Sequence, residues 1–432
     1  MTDRINPSRR HLLLGGLSLT ALGAVALGRP RDLGQGAHKP YFKGLSEALD
    51  RGHLAQPTLV IDKAILEKNI KTLKKNIGGR FDYRIVAKSL PSIPLLEMVM
   101  KGADTQRLML FHQPFLNQVA KDLPHADVLM GKPMPIAAAA NFYRQHKTSG
   151  GFDADQQLQW LVDTPERVRQ YQQLAHQLKV SMRLNIELDV GLHRGGVKDD
   201  AQLEEMLALI EADPTLTLAG FMGYDAHITK LPGSRLAARD RTMEIYTAKL
   251  ELARRITGRT LDDLTLNGAG SPTYQFYAEG DFPHNELSMG SCLVKPTDFD
   301  LPQLADHQPA AFVATPVIKS QGNTELPGPA LLPKLMTLWN PNRAKAFYTY
   351  GGNWQATPES PAGLSYNPIW GHSSNQEMLN GSSSVTLKED DWVFFRPSQS
   401  EAVFLQFGDI AVYDQGEIVE RWPVLTESSA LT

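Results

Sequence analysis

Cysteine is nearly absent from this sequence: Cys292 is the single cysteine among 432 residues. An internal disulfide is therefore impossible, which excludes a disulfide-stabilised scaffold. The 12 histidines are scattered, and none forms a His-x3-His pair that would place two metal ligands on one helix face. We expect Cys292 to be a small packed residue and not a reactive thiol.

The chain also lacks a strong net charge, an internal repeat and a low-complexity tract. Its net charge is only −3, and lysine and arginine are spread along its length. This distribution excludes the basic footprint of a nucleic-acid-binding protein and a polybasic membrane surface. With 42% hydrophobic and 21% charged residues, the composition is that of a soluble globular protein with one large and one smaller domain.

The amino-terminal segment resembles an export signal. Arg9 and Arg10 precede an apolar run rich in glycine and alanine, and Ala24-Val-Ala26 offers a small-x-small cleavage site. Paired arginines before such a run indicate twin-arginine export. We therefore expect a signal peptide at 1–30, a linker at 31–55 and a periplasmic mature protein. A short membrane anchor is the alternative, although the run is short and glycine-rich for a span.

Eight short apolar runs alternate with helix-like segments. The runs are Tyr83–Lys88, Arg107–Phe111, Asp127–Met130, Leu158–Val162, Ser181–Asp189, Leu216–Tyr224, Leu264–Asn267 and Leu287–Val294. This alternation is typical of parallel βαβ units, and it fits either a (β/α)8 TIM barrel or a doubly wound open sheet. Polar residues at or just past the carboxyl ends of the runs favour the barrel, because a barrel builds its active site there. We predict the barrel at 56–305.

The composition changes from about residue 310, where proline- and glycine-rich segments lead to aromatic-rich strands. The predicted strands are Asp391–Phe395, Ala402–Phe407, Ile410–Tyr413 and Glu417–Trp422. Asp414-Gln-Gly416 is a turn signal between the last two. The sequence thus predicts a separate antiparallel β domain at 306–432.

Lys88 ends the first apolar run, and helix-like sequence follows from Pro91. A lysine at the mouth of a buried strand loses hydration, which favours the neutral amine that a nucleophile or a Schiff-base lysine needs. Most lysines at strand ends are merely solvated, so this position alone leaves both interpretations open.

Glycine-rich loops follow the last two runs. Closely spaced glycines in Asn267–Tyr274 let backbone N–H groups approach an anion, and hydroxyls add donors; Gly290 and Ser291 add a similar pair. A plain turn is the alternative, but phosphate sites of barrels often follow the late strands.

The densest polar constellation is Arg183–Val197. Alternation places Arg183, Asn185, Glu187 and Asp189 on one face of a strand, where they must satisfy one another or a ligand. Tyr224 and His227 then supply a ring and an imidazole after the next run.

Together these segments resemble the fold-type III pyridoxal-phosphate enzymes, specifically the D-threonine aldolase/D-serine dehydratase family with its alanine-racemase-like barrel. The matching segments are Thr58–Ile70, Arg84-x3-Lys88-Ser89, Glu187–Val197, Tyr224-x2-His227, the Gly268/Gly270 loop, Gly290-Ser291 and Val393–Pro423. The resemblance implies pyridoxal 5′-phosphate as cofactor, an amino acid as substrate and a homodimer.

By this resemblance Lys88 holds the cofactor, and Tyr224 and His227 act on the ring or the substrate. The residues taken as cofactor-binding are Lys88, Arg84, Arg183, Tyr224, Asn267, Gly268, Gly270, Ser271, Thr273, Gly290 and Ser291.

The chain departs from the family where the family binds a metal. A Pro-x-His-x-Cys or Asp segment is expected, but Pro397–Glu401 places Gln399 and Glu401 at the ligand positions. Zinc prefers nitrogen and sulfur ligands, so we expect no family-type zinc site. Glu401 could instead hold a harder ion, act as a base on a β-hydroxyl, or be a structural acid.

These features favour a lyase of the aldolase type acting on D-3-hydroxy amino acids. Loss of metal ligands weakens dehydration most, because hydroxide is a poor leaving group without a Lewis acid. A D-serine or 3-hydroxyaspartate dehydratase stays open, as does a racemase, which needs a second base opposite Lys88. A non-catalytic periplasmic protein that binds the cofactor or an amino acid is the alternative from another class.

Overall fold

The computed structural model describes residues 29–146, 150–325 and 331–426. Apart from its last two residues, the predicted signal peptide therefore lies outside the described residues. Within the described ranges, no helix has both the length and the hydrophobicity that crossing a membrane requires.

The described chain forms two compact units that alternate along the sequence. One consists of Thr58–Val313 together with the residues from Arg396 onward, and the other of the residues up to Pro57 together with Ala314–Phe395. Strand β1 (Thr58–Asp62) belongs to the first unit and helix α1 (Pro40–Arg51) to the second.

The first unit contains a closed barrel of eight parallel strands in sequence order. The strands are β2 (Asp82–Val86), β3 (Arg107–Leu110), β4 (Asp127–Met130), β5 (Leu158–Val162), β6 (Met182–Glu187), β7 (Leu216–Gly223), β8 (Thr265–Gly268) and β9 (Glu286–Met289). The helices of this part are α2 (Lys63–Ile77), α3 (Ile93–Ala103), α4 (Gln113–Asp122), α5 (Ile136–Gln145), α6 (Ala154–Gln157), α7 (Pro165–Leu178), α8 (Asp200–Glu211) and α9 (Arg235–Thr257). The predicted (β/α)8 barrel is confirmed, and each of the eight apolar runs overlaps one barrel strand.

Helix α7 illustrates how local sequence sets the element boundaries. The hydroxyl of Thr164 accepts a hydrogen bond from the backbone N–H of Arg167 at 3.1 Å, and Pro165 occupies the first helical position, which needs no donor. Lys179 ends the helix in the left-handed conformation with φ 53°. The polar cap and the proline thus fix where the strand gives way to the helix.

Side chains that point into the barrel form an apolar layer. Met109, Leu129, Leu161 and Met222 are at most 5% exposed, and Phe111 packs against them. Met109, Phe111 and Met222 also line a pocket at the carboxyl ends of the strands, so the layer provides the floor of that pocket.

The second unit is built from antiparallel strands. They are β10 (Ala311–Gln321), β11 (Lys345–Thr349), β12 (Ala356–Ser360), β13 (Ser365–Tyr366), β14 (Met378–Gly381) and β15 (Trp392–Pro397), with helix α10 (Leu331–Trp339). β11 pairs antiparallel with β10 and β14, β13 pairs with β14, and β12 pairs with β15. The antiparallel β domain of the predicted fold is confirmed, while its predicted bounds at 306–432 stay a prediction.

The residues from Arg396 onward add a hairpin to the barrel unit. β1 pairs in parallel with β16 (Asp409–Asp414), which pairs antiparallel with β17 (Glu417–Pro423). Gln415 and Gly416 both have positive φ, 48° and 90°, as a two-residue hairpin turn requires, and the predicted turn is confirmed.

The predicted strand at Ala402–Phe407 is wrong. This segment forms helix α11 (Ser400–Val403) and a 3₁₀ turn at Phe404–Phe407. Only Val403 and Phe404 of the six residues are buried, so the continuous apolar run is not a buried strand. Short apolar runs do not distinguish a strand from a helical turn.

Candidate active site

A pocket opens at the carboxyl ends of the barrel strands and encloses about 650 Å³, including its open mouth. Eight of the predicted site residues line it: Lys88, Tyr224, Asn267, Gly270, Ser271, Gly290, Ser291 and Glu401. The carboxyl ends of the parallel strands converge on one face of a closed barrel, which explains why residues so distant in sequence meet there.

Lys88 lies in a 3₁₀ turn, Ala87–Ser89, directly after β2. Its Nζ is 3.4 Å from Oε1 of Glu401 and 4.9 Å from the centroid of the Phe111 ring. The lysine side chain is 42% exposed, so it retains more hydration than its position at the end of a buried strand predicts. Lys88 and Glu401 therefore form an accessible charge pair in the pocket lining.

Serine hydroxyls surround the turn that follows β9. Oγ of Ser89 is 2.9 Å from Oγ of Ser291. Oγ of Ser271 accepts hydrogen bonds from the backbone N–H groups of Gly290 at 3.2 Å and Cys292 at 3.1 Å. The hydroxyls of Ser89, Ser271 and Ser291 thus form a cluster of donors of the kind that can hold an anion.

Two glycines give this part of the pocket its shape. A Cβ at Gly290 would lie 2.5 Å from the carbonyl oxygen of Val86, and one at Gly270 would lie 2.7 Å from Cε2 of Tyr224. Both separations are below any real Cβ contact, so a side chain at either position would push the loops apart. The predicted need for glycine thus comes from close approach of backbone and ring.

Tyr224 follows β7 directly and lies beneath an arginine. Cζ of Arg194 is 4.9 Å from the centroid of the Tyr224 ring. Burial raises the pKa of Tyr224 to about 12, helped by the negative charge of Asp225 and opposed by Arg194. At neutral pH Tyr224 is therefore a neutral phenol that can donate a hydrogen bond.

Arg194 lines the pocket and was missed as a site residue, as were Ser89, Phe111 and Ser288. Arg194 belongs to the conspicuous segment Glu187–Val197 and Ser89 follows Lys88, so the motifs did carry a signal for both. Phe111 and Ser288 line the pocket because of the direction in which their side chains point. Apolar and small residues are too common in and next to strands to indicate a site from the sequence.

His227, Gly268 and Thr273 do not line the pocket, and their predicted contact with cofactor or substrate stays a prediction. The imidazole of His227 lies 3.1 Å from the hydroxyl of Thr242, and burial lowers its pKa. A Cβ at Gly268 would lie 2.2 Å from Nε2 of His284, so this glycine serves packing. Thr273 is fully buried.

Arg84 and Arg183 do not line the pocket either, and their predicted role in cofactor binding stays a prediction. The fully buried guanidinium of Arg84 donates to both carboxylate oxygens of Glu286, at 2.6 and 2.9 Å, and to Oδ1 of Asp127 at 2.6 Å. Glu286 and Asp127 are the first residues of β9 and β4, so this network lies at the amino-terminal end of the barrel, where side chains serve stability. Arg183 donates to the carbonyl oxygen of Gln156.

Asn267 connects the charge network to the pocket. Its Nδ2 donates to Oε1 of Glu286 and to Oγ of Ser288, both at 2.7 Å. Ser288 lines the pocket and Glu286 is fully buried. Asn267 therefore lines the pocket and also links it to the buried charge network through hydrogen bonds.

The polar face of β6 is satisfied largely within the protein. Asn185 donates to Oε1 of Gln159 at 3.0 Å, and Oδ1 of Asp189 accepts from the backbone N–H of His193 at 2.9 Å. Glu187 is 8% exposed, and burial is the main cause that raises its pKa to about 7.

The segment Pro397–Glu401, where the sequence predicts replaced metal ligands, lies next to Lys88. Nε2 of Gln399 donates to Oδ2 of Asp298 at 2.9 Å, while Glu401 faces Lys88. Within the part of the chain that the structure describes, no three His, Cys, Asp or Glu side chains are grouped to hold a metal ion. Cys292 is fully buried, and burial raises the pKa of its thiol to about 12, as expected for a packed residue.

The lining fits pyridoxal 5′-phosphate. Lys88 offers a primary amine for the aldehyde, the hydroxyls of Ser89, Ser271 and Ser291 offer donors for the phosphate, and the methionine floor offers an apolar surface for the ring. Without a Cβ at Gly270 and Gly290, the loops that carry Ser271 and Ser291 can approach Tyr224 and Val86 closely.

Comparison with solved structures shows the same fold in several enzymes. D-threonine aldolase from Filomicrobium marinum is 17% identical, with 92% of this chain and 99% of that chain covered and a TM-score of 0.69. D-threo-3-hydroxyaspartate dehydratase from Delftia sp. HT23 is 15% identical, with 86% and 98% covered and a TM-score of 0.67. Alanine racemase from Bacillus anthracis is 13% identical, with 85% and 98% covered and a TM-score of 0.64. At these identities the likeness shows the fold.

The sequence itself places the chain in a family. No curated protein matches it. Residues 61–298, more than half of the chain, match the model of the alanine racemase N-terminal domain. The chain therefore belongs to the alanine racemase N-terminal domain family and is a fold-type III pyridoxal-phosphate protein.

Proposed function

We propose that this protein is a pyridoxal-phosphate-dependent lyase that cleaves D-3-hydroxy amino acids between Cα and Cβ, as an aldolase does. The observation that carries the proposal is the 3.4 Å contact between Oε1 of Glu401 and Nζ of Lys88 in the pocket lining. It puts a carboxylate and an amine side by side, and both can exchange protons with the same bound molecule.

Residues that follow three barrel strands would hold the cofactor. Lys88 would bind its aldehyde carbon, and the hydroxyls of Ser89, Ser271 and Ser291 would bind its phosphate. When bound, the cofactor supplies an electron sink that allows a bond to Cα to break.

The proton transfers of the cleavage follow from the charge pair. Glu401 takes the proton of the β-hydroxyl while the Cα–Cβ bond breaks, and Cβ leaves as an aldehyde. Lys88 donates a proton to Cα, which completes glycine. Glu401 has then gained one proton and Lys88 has lost one. Their 3.4 Å contact lets that proton return, so the pair is restored after each turnover.

Arg194 gives the pocket a second cation. It stacks on Tyr224 and lines the same pocket as Lys88. A guanidinium binds a carboxylate through two parallel hydrogen bonds, so Arg194 orients the α-carboxylate of the amino acid. Phe111 and Phe299 add an apolar wall for the substrate's side chain.

Cleavage is favoured over dehydration by the chemistry of Glu401. Dehydration needs an acid that assists the departure of hydroxide. An ionised carboxylate has no proton to give to a departing hydroxide, and Gln399 is engaged with Asp298. The D configuration is supported by the names of two structural neighbours, a D-threonine aldolase and a D-threo-3-hydroxyaspartate dehydratase.

A panel of D-amino acids tests the proposal. The holoenzyme is incubated with D-threonine, D-phenylserine, D-serine, D-3-hydroxyaspartate and D-alanine, with and without a chelator, and the products are quantified. Equimolar aldehyde and glycine are expected. A keto acid with ammonia indicates a dehydratase, and the opposite enantiomer with deuterium at Cα indicates a racemase. Cofactor binding without any turnover identifies a non-catalytic protein.

We also propose that the protein works in the periplasm after twin-arginine export. Arg9, Arg10 and the following apolar run support this location. Export in the folded state suits a protein that takes up its cofactor before it crosses the membrane.

A further inference from the structure

Asp225 is a buried carboxylate outside the pocket lining, and the proposed chemistry does not use it. It follows Tyr224 directly and is fully buried. Its Oδ1 accepts a hydrogen bond from the hydroxyl of Thr273 at 2.6 Å, and its Oδ2 accepts one from the hydroxyl of Tyr277. Both oxygens of a charged group are thus bound to the segment that follows β8.

Thr273 extends this contact to the glycine-rich loop. Its hydroxyl oxygen accepts a hydrogen bond from the backbone N–H of Gly270 at 3.0 Å while its proton is donated to Asp225. The backbone N–H of Thr273 donates to the carbonyl oxygen of Gly270 at 2.9 Å. Gly270 is therefore joined to Thr273 from both sides, and Thr273 to Asp225.

The next residue along the loop reaches the other half of the anion-binding cluster. Ser271 follows Gly270, and its hydroxyl accepts from the backbone N–H groups of Gly290 and Cys292. Gly270 also lies against Tyr224, since a Cβ there would be 2.7 Å from the ring. The position of this loop thus decides where Ser271 meets the turn after β9.

We propose that Asp225 is a positioning residue for cofactor binding: through Thr273 it holds the Gly268–Thr273 loop in the conformation that receives the phosphate. The inference rests on the phosphate position given under the proposed function, but not on the reaction catalysed. Asp225 acts without touching the ligand.

The chemistry of the two partners explains why a carboxylate occupies this position. Two hydroxyl donors converge on Asp225, and a carboxylate offers an acceptor to each. An asparagine offers one acceptor and turns an NH₂ group toward the second hydroxyl. If that hydroxyl belongs to Thr273, it must accept from the amide, in competition with the N–H of Gly270, and the loop loses its link. Burial of the carboxylate makes each of these hydrogen bonds costly to lose.

The test compares a phosphorylated with an unphosphorylated ligand. Apoprotein of the wild type, D225N and T273V is titrated with pyridoxal 5′-phosphate and with pyridoxal, and binding is followed by absorbance without substrate. Loss of a hydrogen bond to a charged group weakens binding of the phosphorylated form about tenfold or more, because the link that places the loop is broken. Pyridoxal affinity stays within about twofold, since pyridoxal has no phosphate for the loop to hold.

Two further variants serve as matched controls. T273S keeps the hydroxyl and should restore the wild-type ratio of the two affinities. T242V removes another buried threonine hydroxyl, one that contacts His227 and the carbonyl oxygen of Ala238, and should leave the ratio unchanged. If D225N does not fold, T273V breaks the same link and carries the test.

The outcomes distinguish a failure of the proposed role of Asp225 from a failure of the proposed phosphate position. Equal losses for both ligands, or no loss for either, overturn the positioning role. S291A reports on the phosphate site itself, because its hydroxyl lies in the proposed cluster. A wild-type ratio in S291A refutes the phosphate position, whereas a lowered ratio in S291A with unchanged D225N and T273V refutes only the role of Asp225.

Discussion

Oε1 of Glu401 lies 3.4 Å from Nζ of Lys88, although Lys88 follows the first strand of the barrel and Glu401 belongs to a short helix near the carboxyl terminus. This contact joins the side chain proposed to carry the cofactor to the one proposed to accept the substrate's proton. Glu401, which the sequence analysis assigns to a replaced metal-ligand position, therefore lies next to the lysine proposed to carry the cofactor.

The first prediction concerns the proton acceptor. E401Q should lower kcat for aldehyde release by about 10²–10⁴-fold, because the amide cannot take the β-hydroxyl proton. Binding of pyridoxal 5′-phosphate, measured by absorbance, should not change. E97Q, an exposed substitution of the same kind on α3, should keep the wild-type kcat. Full activity of E401Q would remove Glu401 from the mechanism.

The second prediction concerns the cation over Tyr224. R194M should raise KM for the amino acid about tenfold or more, because a charged hydrogen-bond partner of its carboxylate is lost. R194K keeps the charge but not the planar fork and should fall between R194M and the wild type. Steady-state kinetics on the best substrate of the panel provide the measurement. An unchanged KM in R194M would assign carboxylate binding to another group.

The third prediction separates stability from cofactor binding at Arg84. R84M should lower the free energy of unfolding by about 3–5 kcal/mol, since it removes the fully buried cation that binds both carboxylate oxygens of Glu286. R107M removes a partly exposed partner of the same carboxylate and should cost only about 1 kcal/mol. Denaturant titration gives both values. Unaltered stability of R84M combined with lost cofactor binding would instead support the role in cofactor binding that the sequence predicts for Arg84.

The fourth prediction is a pH dependence of stability that arises from Glu187. Burial, together with the negative charges of Asp163 and Asp189 and against the attraction of Arg194, raises its pKa from 4.5 to about 7. The folded state therefore binds more protons than the unfolded state between these values. The stabilisation is complete below about pH 4.5 and is lost as the pH rises through about 7.

The variant E187Q tests this dependence. It carries no titrating group, so its free energy of unfolding should rise relative to the wild type as the pH goes from 4.5 to 8. Urea titrations at several pH values check the difference. Parallel pH profiles for the two proteins would show that Glu187 does not titrate in this range.

The fifth prediction concerns location. Replacement of Arg9 and Arg10 by lysine should retain the protein in the cytoplasm, because the twin-arginine pathway requires the arginine pair. Fractionation of cells that express the double variant provides the measurement. Unchanged export of the lysine variant would contradict the twin-arginine assignment.

Local sequence patterns were sufficient for the architecture. The eight apolar runs overlap the eight barrel strands, because burial on both faces of a parallel strand leaves a continuous apolar signature. The segment Ala402–Phe407 shows the limit of this reasoning, since its apolar run becomes a helix and a 3₁₀ turn with only two buried residues.

Pocket residues could be predicted from the sequence when they directly follow a barrel strand. They could not be predicted when the direction of the side chain decides which end of the barrel it reaches. Lys88, Tyr224 and Ser291 follow strand ends, and the barrel brings them together. Arg84 lies only four residues before Lys88, yet its guanidinium reaches the first residues of β4 and β9 at the opposite end. Proximity in sequence therefore did not imply proximity to the site.

The sequence by itself determined the parallel barrel, the lysine at the end of its first strand and the glycine-rich loops, because each is encoded in a run of neighbouring residues. Only the tertiary structure decided that Glu401 meets Lys88, that Arg194 covers Tyr224 and that Asp225 reaches Thr273. These contacts depend on how the barrel closes and where the carboxyl-terminal helix lies, since long-range packing and not local propensity sets the distance between residues far apart in the chain.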